Sequence, residues 1–547
     1  MRKIGALLAL VLVIAACGDD DATTTTAATV SGTTAPTEAT GSTAPTEATG
    51  STTLTIAMGG DVETMDPAFT QSQRSNEVIR NVGDQWFHYA FPEKDGVPTY
   101  DPSQIDGAAI DSWTMAADGM SIDLHVREGM TFHRTDNPVT ADDVIYWLDR
   151  GEGLQAGPAQ NMRLAKIKDW QKIDEYTVHI NLTGPSPLFF YEFRDQSSAL
   201  LDSKDITEHA TTDDPWGTEY VAKTDVFSGP YQIDKHTPGV EMVLSTFPGY
   251  WGTPPYFQQV VLKFVPTEAT RVLLLQEGAV DLAEELSVDS LKRLEGAEGI
   301  KQLSLPDRNQ MMMGLNTTKP PFDKVENRQA LAYAIPYDDV IANIFQGEGM
   351  KSEGIVPVLG FSHDSSTWPY TFDQAKAKDL LSAAGNPDGY SFTVHIEQGN
   401  ETSSRLAVYL QTQLKEVGID LKIQQDSPSD FGFQTELNFD AWMRELLWYV
   451  DDPGYSGSYL GASTTCCFKT GFATQELDSI IEELLELSPE DTQSKLELST
   501  RYQQIYNEAS PVIFLGDLNF KIAMRSDIEG YHKDADNQLW YYTLSRS

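Results

Sequence analysis

Phe392-Thr-Val-His-Ile396, then Thr402 to Val417, then Gly418, then Ile419-Asp-Leu-Lys-Ile423 succeed one another as a strand, a helix, a helix stop and a second strand. The outer runs alternate apolar and polar residues, the mark of half-buried strands. A helix of this length between two strands suits a parallel crossover, which a short turn cannot provide. The stretch argues for an α/β unit, and the pattern holds outward from it. Asp373 to Ala384 has helical character and stops at Gly385-Asn386-Pro387, where glycine accepts a left-handed C-cap and proline cannot continue the helix. Leu477, Ile480, Ile481, Leu484 and Leu485 form an apolar stripe at helical spacing. Ser488-Pro489-Glu490-Asp491 has the composition of one more helix start, with proline at the first helical position.

The earlier part of the chain is strand-rich α+β. Ile122, Leu124 and Val126 alternate, and Glu128-Gly129 makes a turn. Thr140-Ala141-Asp142-Asp143 then forms a capping box that opens a helix with Val144, Trp147 and Leu148 on one face. Tyr176 to Leu182 alternates again, with Val178, Ile180 and Leu182 on one face, before the Pro185 and Pro187 break.

Of the 547 residues, 40% are hydrophobic, and the chain beyond residue 53 exceeds the roughly 250–300 residues at which a single core stops growing. Two or three lobes are expected. The formal net charge of −42 argues against nucleic acid or an anionic membrane surface as partner and leaves cationic or zwitterionic ligands open. Three cysteines, Cys17, Cys466 and Cys467, exclude a disulfide-stapled scaffold and a multi-cysteine metal site.

Arg2 and Lys3 precede the apolar run Ile4 to Ala16, which is short for a permanent span and has the layout of a signal peptide. The run ends Val13-Ile14-Ala15-Ala16-Cys17, which resembles a bacterial lipobox, so Cys17 is expected to take a lipid and begin the mature chain. From Gly18 to Thr53 the composition is Thr, Ala, Gly, Ser, Pro and Glu, with one nine-residue unit repeated in tandem from Gly32 and Gly41. Such a segment cannot build a core and is expected to act as a flexible tether.

A series of motifs then carries a family resemblance. Leu54-Thr-Ile-Ala57, Thr64-Met65-Asp66-Pro67-Ala68, Trp113 with Asp118-Gly119, and Leu124-His-Val-Arg127-Glu-Gly129-Met-Thr-Phe-His133 come first. Pro138-Val-Thr-Ala141-Asp142-Asp143-Val144, Ser228-Gly229-Pro230-Tyr231, Gly249-Tyr250-Trp251, Leu315-Asn316 and Pro320-Pro321-Phe322 follow. Arg328-Gln329-Ala330-Leu331-Ala-Tyr-Ala-Ile335 and Ala375-Lys-Ala-Lys-Asp-Leu-Leu381 with Ala384-Gly385 complete the series. In this order the chain resembles the family 5 extracellular solute-binding proteins, which include peptide- and nickel-binding components of ABC importers. The resemblance implies an α/β two-lobed clamshell of the class II periplasmic-binding-protein type, with an extra α+β subdomain in the first lobe. The expected division is signal peptide 1–16, lipidated tether 17–53, lobe I from 54–91, 201–310 and 511–547, the extra subdomain 92–200, and lobe II 311–510. The first crossing between lobes is expected near Asn309 to Leu315 and the return near Pro511 to Leu515, both apolar runs without helical caps.

No His-Glu-x-x-His, Gly-x-x-x-x-Gly-Lys-Ser/Thr, Gly-x-Gly-x-x-Gly or Gly-x-Ser-x-Gly motif occurs. His125 and His133 bracket a hairpin, but a metal site needs three or four ligands. No metal, cofactor or catalysis is expected; a secreted hydrolase would require a convergent acid, base or metal cluster. The segment Trp442-Met-Arg444-Glu-Leu-Leu-Trp448-Tyr449-Val-Asp451-Asp452-Pro453-Gly454-Tyr455 has the composition of a pocket: aromatic faces, one cation, two carboxylates and a forced turn. In peptide-binding relatives an aspartate three residues after such a tryptophan holds the ligand's α-amino group, and Asp451 has that spacing from Trp448; the alternative is a turn carboxylate that caps backbone amides. Two departures weaken peptide as cargo. Asp451 and Asp452-Pro453 are adjacent where relatives have intervening residues, and Arg444 stands one position off an arginine that some peptide binders place near the cleft.

Trp448, Tyr449, Asp451, Arg444 and Tyr455 are therefore expected ligand contacts from lobe II, with Asp66, Phe69 and Thr70 from lobe I. Met311 and Met313 at the first crossing either offer the ligand an adaptable face or belong to the core. Cys466 and Cys467 either close a strained vicinal disulfide, since adjacent Cα atoms are about 3.8 Å apart, or pack as small reduced thiols. The expected protein is a monomeric, lipid-anchored binding component on the outer face of the cytoplasmic membrane. It captures an oligopeptide or similar small polar solute and delivers it to an ABC permease with a separate ATPase. An oligosaccharide or metal chelate would use the same aromatics.

Overall fold

The computed structural model describes residues 52–70, 72–94, 96–427, 437–448, 450–465, 468–487 and 491–547. The signal peptide, Cys17, the tether up to residue 51, Tyr449, Cys466, Cys467 and Ser488-Pro489-Glu490 lie outside them. The crossover read from the sequence is formed. Ser391–Glu397 and Asp420–Asp426 pair in parallel, with Phe392 opposite Leu421 and Val394 opposite Ile423. Between them the helix Glu401–Lys415 is capped by Asn400 and turns Leu406, Leu410 and Leu414 inward. Gly418 ends the segment at φ 86°, a conformation that a side chain would strain. Its neighbour in space is Gly389, where an added Cβ would meet the Gly418 carbonyl.

Among the described residues, one mixed sheet of eleven strands is formed. On one side lie Tyr231–Thr237, Glu241–Thr246, Gln259–Phe264, Thr53–Met58 and Leu282–Ala283; on the other lie Ala441–Leu447, Ser391–Glu397 and Asp420–Asp426. At the centre are two long antiparallel strands, Ile300–Leu315 and Val512–Arg525. Their ladder runs from Ile300 opposite Arg525 to Leu305 opposite Phe520, breaks, and resumes with Asn309 opposite Leu518. Pro306, Asp307 and Arg308 thus stand against the single residue Asn519, a bulge that bends the strand and re-aims its side chains.

The hydrophobic cores divide at this break. Leu303 and Leu305 pack with a core that contains Leu54, Ile56, Leu262, Ile522 and Met524. Met311 and Met313 belong to a second core with Val394, Leu410, Ile513, Leu515 and Leu518. In the stretch where the return is expected, Ile513, Leu515 and Leu518 pack on the second core, while Val512 and Phe514 turn to a further apolar cluster with Trp442 and Trp448.

The extra subdomain is a four-stranded antiparallel sheet in the order Ile110–Met115, Ser121–Val126, Thr177–Leu182, Ile167–Lys172. Ile122, Leu124, Val126, Val178 and Ile180 turn into its own core, against Val144, Trp147 and Leu148 of the helix Ala141–Leu154. That helix starts with the expected capping box, the Asp143 carboxylate accepting the Thr140 N–H at 2.8 Å. The helix Thr492–Ala509 differs from expectation at its start, since Asp491 itself is the N-cap, accepting the Ser494 N–H at 3.2 Å.

Where the subdomain meets the first core, Asp84 is buried and accepts hydrogen bonds from the Ser228 hydroxyl at 3.2 Å and the Trp251 indole at 3.3 Å. Burial pushes its carboxyl up to about 7, against the opposing pull of those two donors. A carboxyl raised in the folded state stabilises the fold when protonated, and that contribution is lost as pH rises through about 7. Asp84→Asn should therefore raise the thermal midpoint relative to the parent at pH 8 and have little effect at pH 4, checked by calorimetry at the two values.

Candidate functional site

The bulge at the centre of the sheet positions the charged residue that the site is built around. Arg308 is only 7% exposed, and its Nη1 lies 3.1 Å from Asp451 Oδ2. Its Nη2 donates to the Tyr100 hydroxyl, and the guanidinium stands 5.5 Å from the centre of the Tyr100 ring. Burial pushes the Tyr100 hydroxyl up to about 12, so it is neutral at physiological pH. Asp451 is 27% exposed and its Oδ1 accepts the Phe361 N–H at 2.8 Å. Three distant parts of the chain, the crossing strand, the loop after Ala441–Leu447 and the loop before His363, thus meet at one carboxylate.

The neighbouring acid has a different role. Asp452 caps the helix Pro453–Leu460 by accepting the Gly454 and Tyr455 N–H groups at 2.8 and 3.2 Å, and it pairs with Lys495 at 2.6 Å in the interior. Among the described residues, Asp451 accepts one backbone N–H, that of Phe361, and it keeps a face toward solvent.

Trp448 is almost fully buried. Its backbone N–H donates to the Arg308 carbonyl at 3.1 Å and its indole N–H to Gln310 Oε1 at 2.7 Å. The Gln310 amide in turn donates to Ser352 Oγ, the Gly354 carbonyl and Asp517 Oδ1 at 2.8, 3.0 and 3.1 Å. Trp448 is thereby locked to the crossing strand, with Tyr455 packed edge-on at 6.4 Å and itself buried. A cavity of about 10 Å³ lies between Arg308, Val356, Pro357, Trp448 and Asp451, room for about one water molecule.

Other expected contacts lie elsewhere. Asp66 is buried and held by both Arg150 nitrogens, at 2.9 and 2.5 Å, so it ties its loop to the helix Ala141–Leu154 and does not face a cleft. Met311 and Met313 are fully buried in the second core because alternation in the strand turns both inward. Thr70 donates to Asn76 Oδ1 at 2.8 Å, near the start of the helix Gln73–Val82. Phe69 remains 46% exposed. Arg444 projects from the strand beside Phe468, its guanidinium 5.1 Å from that ring; burial pulls its pKa down while Glu397 and Glu445 pull it up. Glu397 is also near Arg74, which pairs with Glu285 at 2.6 Å.

Tyr100, Arg308 and Phe361 were not expected. Arg308 has a local signal, a cation just before the apolar run at the crossing. Tyr100 and Phe361 have none, since their partners are far away in sequence. His125 and His133 do not face each other: His125 Nδ1 is 2.9 Å from Asp111, and His133 sits between Asp225 and the Gly229 carbonyl at 2.8 and 2.9 Å. Among the described residues, no group of three or more His, Cys, Asp or Glu side chains is placed to hold a metal ion.

The model of the bacterial extracellular solute-binding proteins, family 5 Middle, matches residues 104–465. The dipeptide-binding protein of Escherichia coli K12 is 23% identical over 458 residues, 79% of this chain and 84% of that protein. Among solved structures, the periplasmic binding protein DppA from Helicobacter pylori, in complex with peptide STSA, superposes with a TM-score of 0.80 at 22% identity, covering 90% of this chain and 98% of that one. The dipeptide-binding protein from Pseudoalteromonas sp. SM9913, in complex with Met-Leu, gives 0.81 at 18% identity, covering 90% and 100%. The chain belongs to the family 5 bacterial extracellular solute-binding proteins, and its fold is the two-lobed α/β clamshell of periplasmic binding proteins. Among the described residues no helix is long and apolar enough to cross a membrane.

Asp66→Ala strands Arg150 as a buried, unpaired cation, which costs about 3–5 kcal/mol. The variant should unfold at markedly lower urea than the parent, yet bind ligand with the parent's affinity at 10 °C, as measured by calorimetric titration.

Proposed function

We propose that this solute-binding protein captures a short peptide with a free amino terminus between its two lobes and hands it to an ABC permease driven by a separate ATPase, with no chemistry of its own. The observation that carries this reading is Asp451, a partly exposed carboxylate oriented by the Phe361 N–H at the junction of crossing strand and lobe II. Such a carboxylate anchors an ammonium by charge-assisted hydrogen bonds, which gain strength as the closing lobes exclude water. The buried Tyr89 stands with ring centres 5.6 and 6.1 Å from those of Tyr100 and Tyr191, two partly exposed aromatic side chains that varied ligand groups could pack against. The relatives named for dipeptides favour peptide over sugar or chelate. A ligand that touches both lobes shifts the population toward the closed form.

Ligand stabilises the protein by about 2.7 kcal/mol at a hundredfold excess over Kd. Di- and tripeptides should raise the thermal midpoint, and N-acetylation of the peptide or Asp451→Asn should abolish the shift. A shift with oligosaccharides or nickel chelates and none with peptides would retain the family and remove the peptide.

Lipidation of Cys17 would hold the monomer at the outer face of the cytoplasmic membrane, with the Thr-rich tether giving it reach. Cys17→Ala should move the protein from the membrane pellet to the soluble fraction, and intact-mass measurement of the parent should show an acylated amino-terminal cysteine.

A further inference from the structure

A short strap leaves the second core and reaches the other lobe. Phe345 is buried with Leu410, Ile513 and Leu515, and Gly349–Met350 pairs with Leu518 and Asp517 of the returning strand. Between these anchors Gln346 and Gly347 both take left-handed backbone, at φ 54° and 84°. Glycine adopts it freely, whereas glutamine does so at a cost that the surroundings have to offset. The turn is held by the Gly347 N–H on the Ile341 carbonyl at 2.9 Å and the Glu348 N–H on the Phe345 carbonyl at 2.8 Å. Its base is fixed to the central strands, where Glu348 Oε2 accepts the Ser304 hydroxyl at 2.5 Å and the Asn519 amide at 3.3 Å. Its tip, the Gln346 amide, donates to Asp289 Oδ1.

Asp289 belongs to the first lobe. It lies in the helix Val288–Leu294, whose Val288, Leu291 and Leu294 pack with Ala57, Val280 and Ala523. Ser287 caps that helix by accepting the Ser290 N–H at 3.4 Å, so the Asp289 carboxylate is left to face outward. Its Oδ2 pairs with Arg405 Nη1, from the helix Glu401–Lys415 of the second lobe. The same guanidinium donates from Nη2 to the Ile344 carbonyl at 3.3 Å, which fixes its direction. Arg405 bonds across the lobes although Glu401 stands one turn back on its own helix, where a local ion pair is open to it. Both Asp289 oxygens are thus held by donors whose backbone belongs to the other core. Hinge motion about the central strands separates elements of different cores, so it breaks these bonds and leaves those at Glu348.

We propose that Gln346 and Arg405 latch the lobes shut on Asp289, and that this latch sets the closed-to-open ratio and thereby how long a solute is held. It uses none of the residues around Asp451, and it stands on the two-lobed fold whichever solute is bound. Side-chain exposures of 31% for Arg405 and 51% for Asp289 leave the pair open to screening, so the hold weakens as ionic strength rises.

The test is single-molecule energy transfer in the mature chain without ligand. Dyes are clicked onto p-azidophenylalanine in place of Tyr256 and Phe372, exposed aromatics that adjoin the first and second cores. Asp289→Asn and Arg405→Gln should each lower the closed-to-open ratio about threefold to fivefold, the scale of one exposed ion pair, and Gln346→Ala should lower it too. The Asp289→Asn, Arg405→Gln double variant should fall no further than either single one. At 1 M salt, where the Debye length is about 3 Å, the parent should approach the variants. A parent found only in the open state overturns the latch, as does a ratio that Asp289→Asn and Arg405→Gln leave unchanged. A double variant whose loss is the product of the two single losses also overturns it, and so does a gap between parent and variants that 1 M salt leaves intact.

Discussion

The antiparallel pairing of Ile300–Leu315 with Val512–Arg525 carries both halves of the molecule. Each strand has to bury apolar residues in two different cores, and an unbroken ladder would hold all of them to one alternation. The three-against-one bulge at Pro306, Asp307 and Arg308 solves this by restarting the register, so that Leu305 packs with the first core and Met311 and Met313 with the second. It has a second effect. Residues expelled from the ladder no longer spend their side chains on either core, and two charged ones, Asp307 and Arg308, are placed at the break between the two cores.

A buried charge network holds the surroundings of that junction in place. Lys533 pairs with Asp307, while Arg80 and Arg194 both pair with Asp536, at 2.5 and 2.8 Å. Burial alone would push the Asp536 carboxyl up, yet the two guanidinium groups hold it below its usual range. Buried ions of this kind add little net stability over apolar packing, but a mispaired arrangement would cost several kcal/mol. The network therefore specifies where the carboxy-terminal segment docks. That segment touches Arg80, Arg194 and Asp307 of the bulge, which adjoins Arg308.

Local pattern foretold the elements well wherever one face is buried and the other wet. Thr140 and Asp143 formed their capping box, the runs expected over Phe392 to Ile396 and Ile419 to Ile423 became the parallel strands Ser391–Glu397 and Asp420–Asp426, and Leu477, Ile480, Ile481 and Leu484 lined one face of a helix. The candidate site was less legible. Asp451 was singled out by the spacing from Trp448 that the family resemblance implies, and composition could not distinguish it from Asp452, which caps a helix and pairs with Lys495. Asp66 looked like a cleft carboxylate because nothing near it in sequence marks Arg150, which holds it. Trp448 and Tyr455 looked like an open aromatic surface, and both turned out to be packed away.

What the sequence determined by itself is the order and type of the elements and the α/β character of the second lobe, because periodicity, caps and turn residues act between neighbours a few positions apart; the class of protein came from the resemblance of its series of motifs to a known family. Which carboxylate faces solvent, which is consumed by an internal cation, and where the chain passes from one core to the other were decided only by the tertiary structure. Those outcomes depend on pairs such as Arg308 with Asp451 and Asp66 with Arg150, whose members are distant in sequence and gain strength only once folding has withdrawn them from water.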